Sequence, residues 1–320
     1  MWTSVPWMPK TVENGSDPVT IVEVGPRDGL QNEAALVRVA DKIAFIDRLS
    51  AAGCGRIEVS AFVSHKWIPQ LADAEEVFAG ITPRPGTRYS ALVPNLRGLE
   101  RAIASGVTEV AIFAAASETF SRKNINQTIG ESIRTYEDVT RAARAAGLRV
   151  RGYLSTSFGC PFEGDVPVER VIDLTRQLFE LGVFEVAISD TIGVAHPGQV
   201  RSMLDQVTAQ FAPRTLALHF HDTRGTALAN VLASLDYGIT TFDSSAGGLV
   251  GCPYAPGAAG NLATEDLVYM LHGLGRQTGI DLNALAGASL ALEPALTHRL
   301  PSRFVNAFRS HRVASPPDRG

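Results

Sequence analysis

The sequence predicts a (β/α)8 barrel with a short C-terminal helical appendage, and three observations carry that prediction. Strand-like runs of alternating or β-branched residues recur eight times between positions 20 and 244. Glycines suited to a left-handed helix stop stand a few residues ahead of five of these runs, at Gly53, Gly106, Gly147, Gly182 and Gly238. No low-complexity linker interrupts the series, and its span of roughly 250 residues is what eight strand-helix units need. A doubly wound open sheet is the rival architecture. It usually has fewer strands and often a GxGxxG turn after the first, whereas here the first run is followed by Gly25-Pro26-Arg27-Asp28-Gly29.

Taken in order, the first strand covers residues 20–24 and breaks at that Gly-Pro turn. Ile43, Ile46 and Leu49 then fall on one helical face, with Lys42, Asp47 and Arg48 mostly off it, and Gly53 ends the helix. Further strands are expected at 56–60, 89–93, 109–113, 149–155, 185–189, 216–221 and 240–244. Thr264 reads as the cap of a helix over 265–274. By this reading residues 1–17 are a tail and 18–283 the barrel. Residues 284–320 are the appendage, comprising a helical segment over 284–296 and a basic tail over 299–312.

Composition narrows the function classes. The 320 residues are 45% hydrophobic, ample for a large core, and carry a net charge of −4 without a long run of Lys and Arg. A nucleic-acid surface is not expected. Cys54, Cys160 and Cys252 are far apart and form no CxxC pair, which points to a reducing compartment. The first 17 residues hold two tryptophans and two prolines but no apolar core of signal-peptide length. Nothing approaches the roughly 20 apolar residues of a membrane span. A soluble cytoplasmic protein is the expectation, and a homo-oligomer is compatible with it.

Chemistry is expected at the carboxyl ends of the strands, where barrels carry their reactive groups. In His219-Phe220-His221 the two imidazoles share one strand face, because side chains two apart point the same way. Asp28 follows the first strand and Asn261 the last, and a closed barrel makes strands seven, eight and one neighbours. One carboxylate, two imidazoles and an amide oxygen suit an octahedral divalent cation, Mg²⁺ or Mn²⁺, with Zn²⁺ also compatible. The competing readings are a turn carboxylate for Asp28 and a tight-turn residue for Asn261.

Arg27, beside Asp28, offers a planar cationic fork for a developing oxyanion. Glu58, a charge within a core strand, needs a partner, and Arg27 is the obvious one. Asp190 either orients a ligand or moves a proton, or else caps its turn. The stretch 247–260 is too glycine-rich for a helix and too long for a tight connection, so it reads as a lid carrying Cys252.

The residues at these positions resemble a known family. Val24-Gly25-Pro26-Arg27-Asp28-Gly29-Leu30-Gln31-Asn32 is similar to the signature of the 3-hydroxy-3-methylglutaryl-CoA lyases, within the metal-dependent lyase and Claisen-condensing barrels. So are Ala61-Phe62-Val63-Ser64 with Lys66-Trp67, Lys123-Asn124-Ile125-Asn126, Gly251-Cys252-Pro253-Tyr254 and Gly260-Asn261-Leu262-Ala263-Thr264-Glu265-Asp266. The resemblance implies cleavage of a branched 3-hydroxyacyl-CoA thioester to acetyl-CoA and a keto acid, acetoacetate for the parent substrate. It implies Asp28, His219, His221 and Asn261 as ligands and Cys252 as catalytic thiol. It also implies Arg27 at the thioester oxygen, Glu58 and Asp190 in support, and Asn124 in substrate contact.

Some positions depart from the family pattern. His65 stands where proline is expected, and Phe220 where a small or sulfur-bearing residue is common. Phe220 itself is expected on the strand face opposite the histidines, while Ser155-Thr156-Ser157-Phe158 and Arg224 are expected to shape the acyl pocket, so the departures bear on the acyl group more than on the reaction type. The same chemistry on citramalyl-CoA or a longer 3-hydroxy-3-alkylglutaryl-CoA is the alternative. A metal hydrolase, which normally carries His-x-His on its first strand, and a non-catalytic binding barrel are more distant readings.

Overall fold

The computed structural model describes residues 18–249 and 260–314. Its eight strands are β1 (Thr20–Glu23), β2 (Arg56–Ala61), β3 (Arg88–Leu92), β4 (Glu109–Ala115), β5 (Arg149–Ser155), β6 (Val186–Asp190), β7 (Leu216–Phe220) and β8 (Thr241–Ser244). They pair in sequence order, all parallel, and β8 closes on β1. The helices that return the chain are α1 (Val39–Ala51), α2 (Ala74–Gly80), α3 (Leu96–Ala104), α4 (Glu118–Ile125), α5 (Ile129–Ala145), α6 (Val168–Glu180), α7 (Pro197–Val207), α8 (Ala227–Leu235) and α9 (Thr264–Gly273). All five glycines expected to stop helices have positive φ, which only a residue without Cβ adopts at little cost.

The core has two parts. The larger lies between strands and helices and holds outward-facing residues such as Ile21, Ile57, Val110, Ile112 and Phe220. Within the barrel lies a smaller cluster, in which Ala61, Ala111, Ala187 and Ala217 surround Tyr153 and Leu92. Phe220 therefore does not reach the pocket between the histidines. It packs outward against Phe158, with ring centroids 5.8 Å apart, because it alternates with them along the strand.

Beyond the barrel come α10 (Leu282–Leu292) and α11 (Arg303–Ala314). The first begins two residues ahead of the expected 284, where Asp281 accepts from the amides of Asn283 and Ala284 and caps it. It packs against α1. Much of the expected basic tail is α11. The segment before it reaches back over the barrel mouth: His298 meets Glu33 at 2.8 Å, Ser302 N donates to Gly247 O at 3.0 Å, and Arg303 meets Asp222 at 3.0 Å. No helix among the described residues is long and apolar enough to cross a membrane.

Candidate active site

The break after β1 is a single wide helical turn, Gly25–Gly29, in which the amides of Arg27, Asp28 and Gly29 all donate to Val24 O. It needs glycine at both ends. A Cβ at Gly25 would lie 2.6 Å from Glu23 Oε1, and one at Gly29 2.5 Å from Ser245 Oγ. The turn thus lies tight against the barrel mouth and presents Arg27 and Asp28 side by side.

Across the barrel seam, β7 ends at Phe220, and His221 bridges to Asn261 on the returning chain. Asp222 N donates to Gly260 O at 2.9 Å and holds that return in place. Asp28, His219 and His221 each offer one ligand atom, all within 4.8 Å of one another. Asn261 Nδ2 donates to Asp28 Oδ2 at 2.9 Å. Residues 233 apart in the chain are therefore in direct contact, as closure of the barrel predicts.

The donor set fits a cation. His219 Nδ1 lies 3.2 Å from Asp243 Oδ2, which fixes the tautomer that leaves a lone pair on Nε2. That Nε2 faces His221 Nε2 at 3.1 Å. Burial first, and then the neighbouring imidazole, push His221 down to about 3, so it is neutral at ordinary pH. With its proton on Nε2, His221 donates to His219; with the proton on Nδ1, which meets no partner among the described residues, both Nε2 lone pairs are free for a cation. Among the described residues the Asn261 Oδ1 is buried without a hydrogen-bond partner, a further oxygen beside the cluster. Burial alone would raise the Asp28 carboxyl. The Arg27 guanidinium outweighs it, helped by both histidines, and holds it below the usual carboxylate range.

Arg27 is buried and donates from Nε to Glu58 Oε1 and from Nη1 to Asp28 Oδ1, so the expected ion pair is present. Glu58 also accepts from the Tyr153 hydroxyl at 2.8 Å. Arg151 continues inward. It donates to Tyr153 Oη at 2.8 Å, to both oxygens of Asp243 at 2.7 and 3.1 Å, and to Glu185 at 2.7 Å. Register explains the last link of this network, since His219 and Asp243 are partners across β7 and β8.

Tyr153, Arg151 and Asp243 are absent from the expected site. A signal for two of them stood in the sequence: like Glu58, Arg151 and Asp243 are charges inside predicted core strands and must be paired. Burial would raise Asp243, but Arg151 with His219 brings it down to about 2. Asp243→Asn keeps the shape and removes the charge that orients His219. Mn²⁺ affinity measured by calorimetry is expected to fall about 10- to 100-fold, and unchanged affinity would remove Asp243 from the site.

The remaining residues are placed as follows. Asp190 is buried and accepts from the amides of Val194 and Ala195 at 3.0 and 2.9 Å. These contacts cap the turn after β6, and burial pushes its carboxyl up to about 6. Asn124 is half-buried on α4, and no hydrogen bond joins it to the cluster. Cys252 and the lid expected around it lie outside the described residues, apart from the loop's ends at Gly247–Leu249 and Gly260. Thr264 is the first residue of α9 rather than its cap; its hydroxyl donates to Glu23 Oε2 at 2.6 Å instead. His65 lies 2.7 Å from an Arg101 nitrogen, and Arg224 donates to the carbonyls of Ile192 and Gly193, so both brace loops.

A closed parallel barrel with a carboxylate, two imidazoles and an amide gathered at its C-terminal mouth, beside a buried guanidinium, has the architecture of the barrel enzymes that work around a cation. The chain belongs to the HMGL-like family, whose model matches residues 18–291. It is 52% identical over 292 residues to the hydroxymethylglutaryl-CoA lyase of Bacillus subtilis, covering 91% of this chain and 98% of that one. To the 3-hydroxy-3-isohexenylglutaryl-CoA/hydroxymethylglutaryl-CoA lyase of Pseudomonas aeruginosa it is 54% identical over 290 residues, covering 91% and 97%. The crystal structure of a hydroxymethylglutaryl-CoA lyase from Pseudomonas aeruginosa superposes with a TM-score of 0.90 at 51% identity, covering 92% of this chain and 98% of that one. An HMG-CoA lyase from Acinetobacter baumannii, solved with coenzyme A and 3-methylmalate, superposes with a TM-score of 0.89 at 40% identity, covering 96% and 100%.

Proposed function

We propose that this chain is a carbon-carbon lyase that cleaves 3-hydroxy-3-methylglutaryl-CoA to acetyl-CoA and acetoacetate. Asp28, His219, His221 and Asn261 would hold a divalent cation, Mg²⁺ or Mn²⁺ by the hardness of an oxygen and imidazole set. The observation that carries this reading is the convergence of Asp28, His219 and His221 within 4.8 Å, next to a guanidinium that is buried yet charged. The names of relatives identical at about half their positions support the same activity.

Three events make up the reaction. The tertiary hydroxyl loses its proton, the bond from its carbon to the carbon beside the thioester breaks, and the departing acetyl-CoA enolate gains a proton at carbon. A bound divalent cation supplies Lewis acidity, which lowers the pKa of an alcohol placed against it. Arg27 acts at the other end, stabilising the thioester oxygen as it takes on enolate charge. Burial works against its positive charge, but Glu58 and Asp28 outweigh that and keep it ionised. Glu58 orients Arg27 in turn. Cys252 would protonate the enolate carbon. Asp190 would shape the turn that follows β6, and Asn124 would meet the substrate from α4.

Purified protein incubated with 3-hydroxy-3-methylglutaryl-CoA and Mg²⁺ should release acetoacetate, followed by coupled reduction of the keto acid. Absence of carbon-carbon cleavage with this and every other branched 3-hydroxyacyl-CoA would overturn the reading.

A further inference from the structure

Arg27 and His219 serve different parts of the chemistry, yet one hydrogen-bonded chain through the barrel interior joins them. It runs from Arg27 to Glu58, to the Tyr153 hydroxyl, to Arg151, to Asp243 and to His219. Tyr153 is 5% exposed, Arg151 2%, and Glu58 and Asp243 1% each, so the chain is shielded from bulk water. Tyr153 is the neutral member of a row of charges. Burial, and then Glu58, raise its phenol, so it stays protonated and can donate to Glu58 while accepting from Arg151. Its ring lies against both guanidiniums, with Arg27 Cζ 5.5 Å and Arg151 Cζ 4.8 Å from the centroid.

We propose that Tyr153 is a positioning residue: its hydroxyl locks Glu58, and through Glu58 the guanidinium of Arg27, in the orientation the reaction uses. Without that donor, Glu58 Oε2 loses its link to the chain and the carboxylate is free to rotate about its remaining contact with Arg27. The guanidinium then keeps Asp28 as its one fixed carboxylate and loses the second that sets its plane. The other end of the chain is unaffected, because Arg151 keeps both oxygens of Asp243, and Asp243 keeps His219.

Tyr153→Phe isolates the hydroxyl, since the ring and its contacts with both arginines remain. The rate prediction rests on the lyase reading, but a second measurement does not. Turnover number on 3-hydroxy-3-methylglutaryl-CoA should fall about tenfold, while Mn²⁺ affinity by calorimetry stays within about twofold. In an Arg27→Met background the same substitution should cost nothing further, because a residue acting through Arg27 has no effect once Arg27 is gone. Independently of any substrate, exchange of the Arg27 Nε–H proton, followed by ¹⁵N NMR, should accelerate about tenfold or more. An equal loss in both backgrounds, Mn²⁺ affinity falling in step with rate, or unchanged Nε–H exchange would each overturn the proposal. A wild-type protein that turns over no substrate counts against the lyase reading, and the exchange measurement still decides the role of Tyr153.

Discussion

His221→Ala is expected to abolish divalent-cation binding and turnover together. Its Nε2 faces that of His219 at 3.1 Å and lies 3.9 Å from Asp28, so its removal opens one whole side of the candidate cation site. Losing a partner behind a ligand commonly costs 10- to 100-fold in affinity, and losing the ligand itself should cost at least about 100-fold. Mn²⁺ titration followed by electron paramagnetic resonance reads this directly, with turnover measured on the same samples. The fold should survive, because the imidazole sits at the strand end and not in the outer core. Cation affinity equal to wild type would end the assignment of His221 as a ligand.

Arg27→Lys is the second large effect, and it separates charge from shape. The guanidinium donates to Glu58 and Asp28 at once, from two different nitrogens. An ammonium has the charge without the planar fork, so it cannot hold both partners and still present a donor to the thioester oxygen. Turnover number should fall about 10²- to 10³-fold, the usual cost of one transition-state donor. The Michaelis constant should change far less, because the contact strengthens as charge develops. A near-normal turnover number would leave Arg27 as a structural ion pair.

Sequence alone made much of the barrel legible because its two periodicities are local. Alternation within short runs marked each strand to within about two residues, and left-handed glycines marked the helix stops. Contacts between distant parts of the chain were less legible. Thr264 has the look of a cap, but its hydroxyl is taken by Glu23, 241 residues away. Phe220, by contrast, is placed by alternation alone, on the face opposite the two histidines, and it packs outward as that predicts.

The site divides along the same line. Asp28, His219, His221 and Asn261 could be named together because strand ends in a barrel converge by rule. Arg151 lies 92 residues from Asp243, and Tyr153 lies 95 from Glu58, so their meeting depends on which interior side chains are long enough to cross the barrel. No sequence period encodes that reach. Asp190 is open between two readings in the sequence, and its contacts with the Val194 and Ala195 amides depend on a turn that no local pattern specifies.

The seam where β8 meets β1 has a consequence for biosynthesis. Asp28 leaves the ribosome 233 residues before Asn261 contacts it, so no nascent chain shorter than the full ring presents the complete candidate ligand set. A cation held by these residues would meet them gathered only once the last strand docks. From then on, occupancy favours the closed ring by mass action.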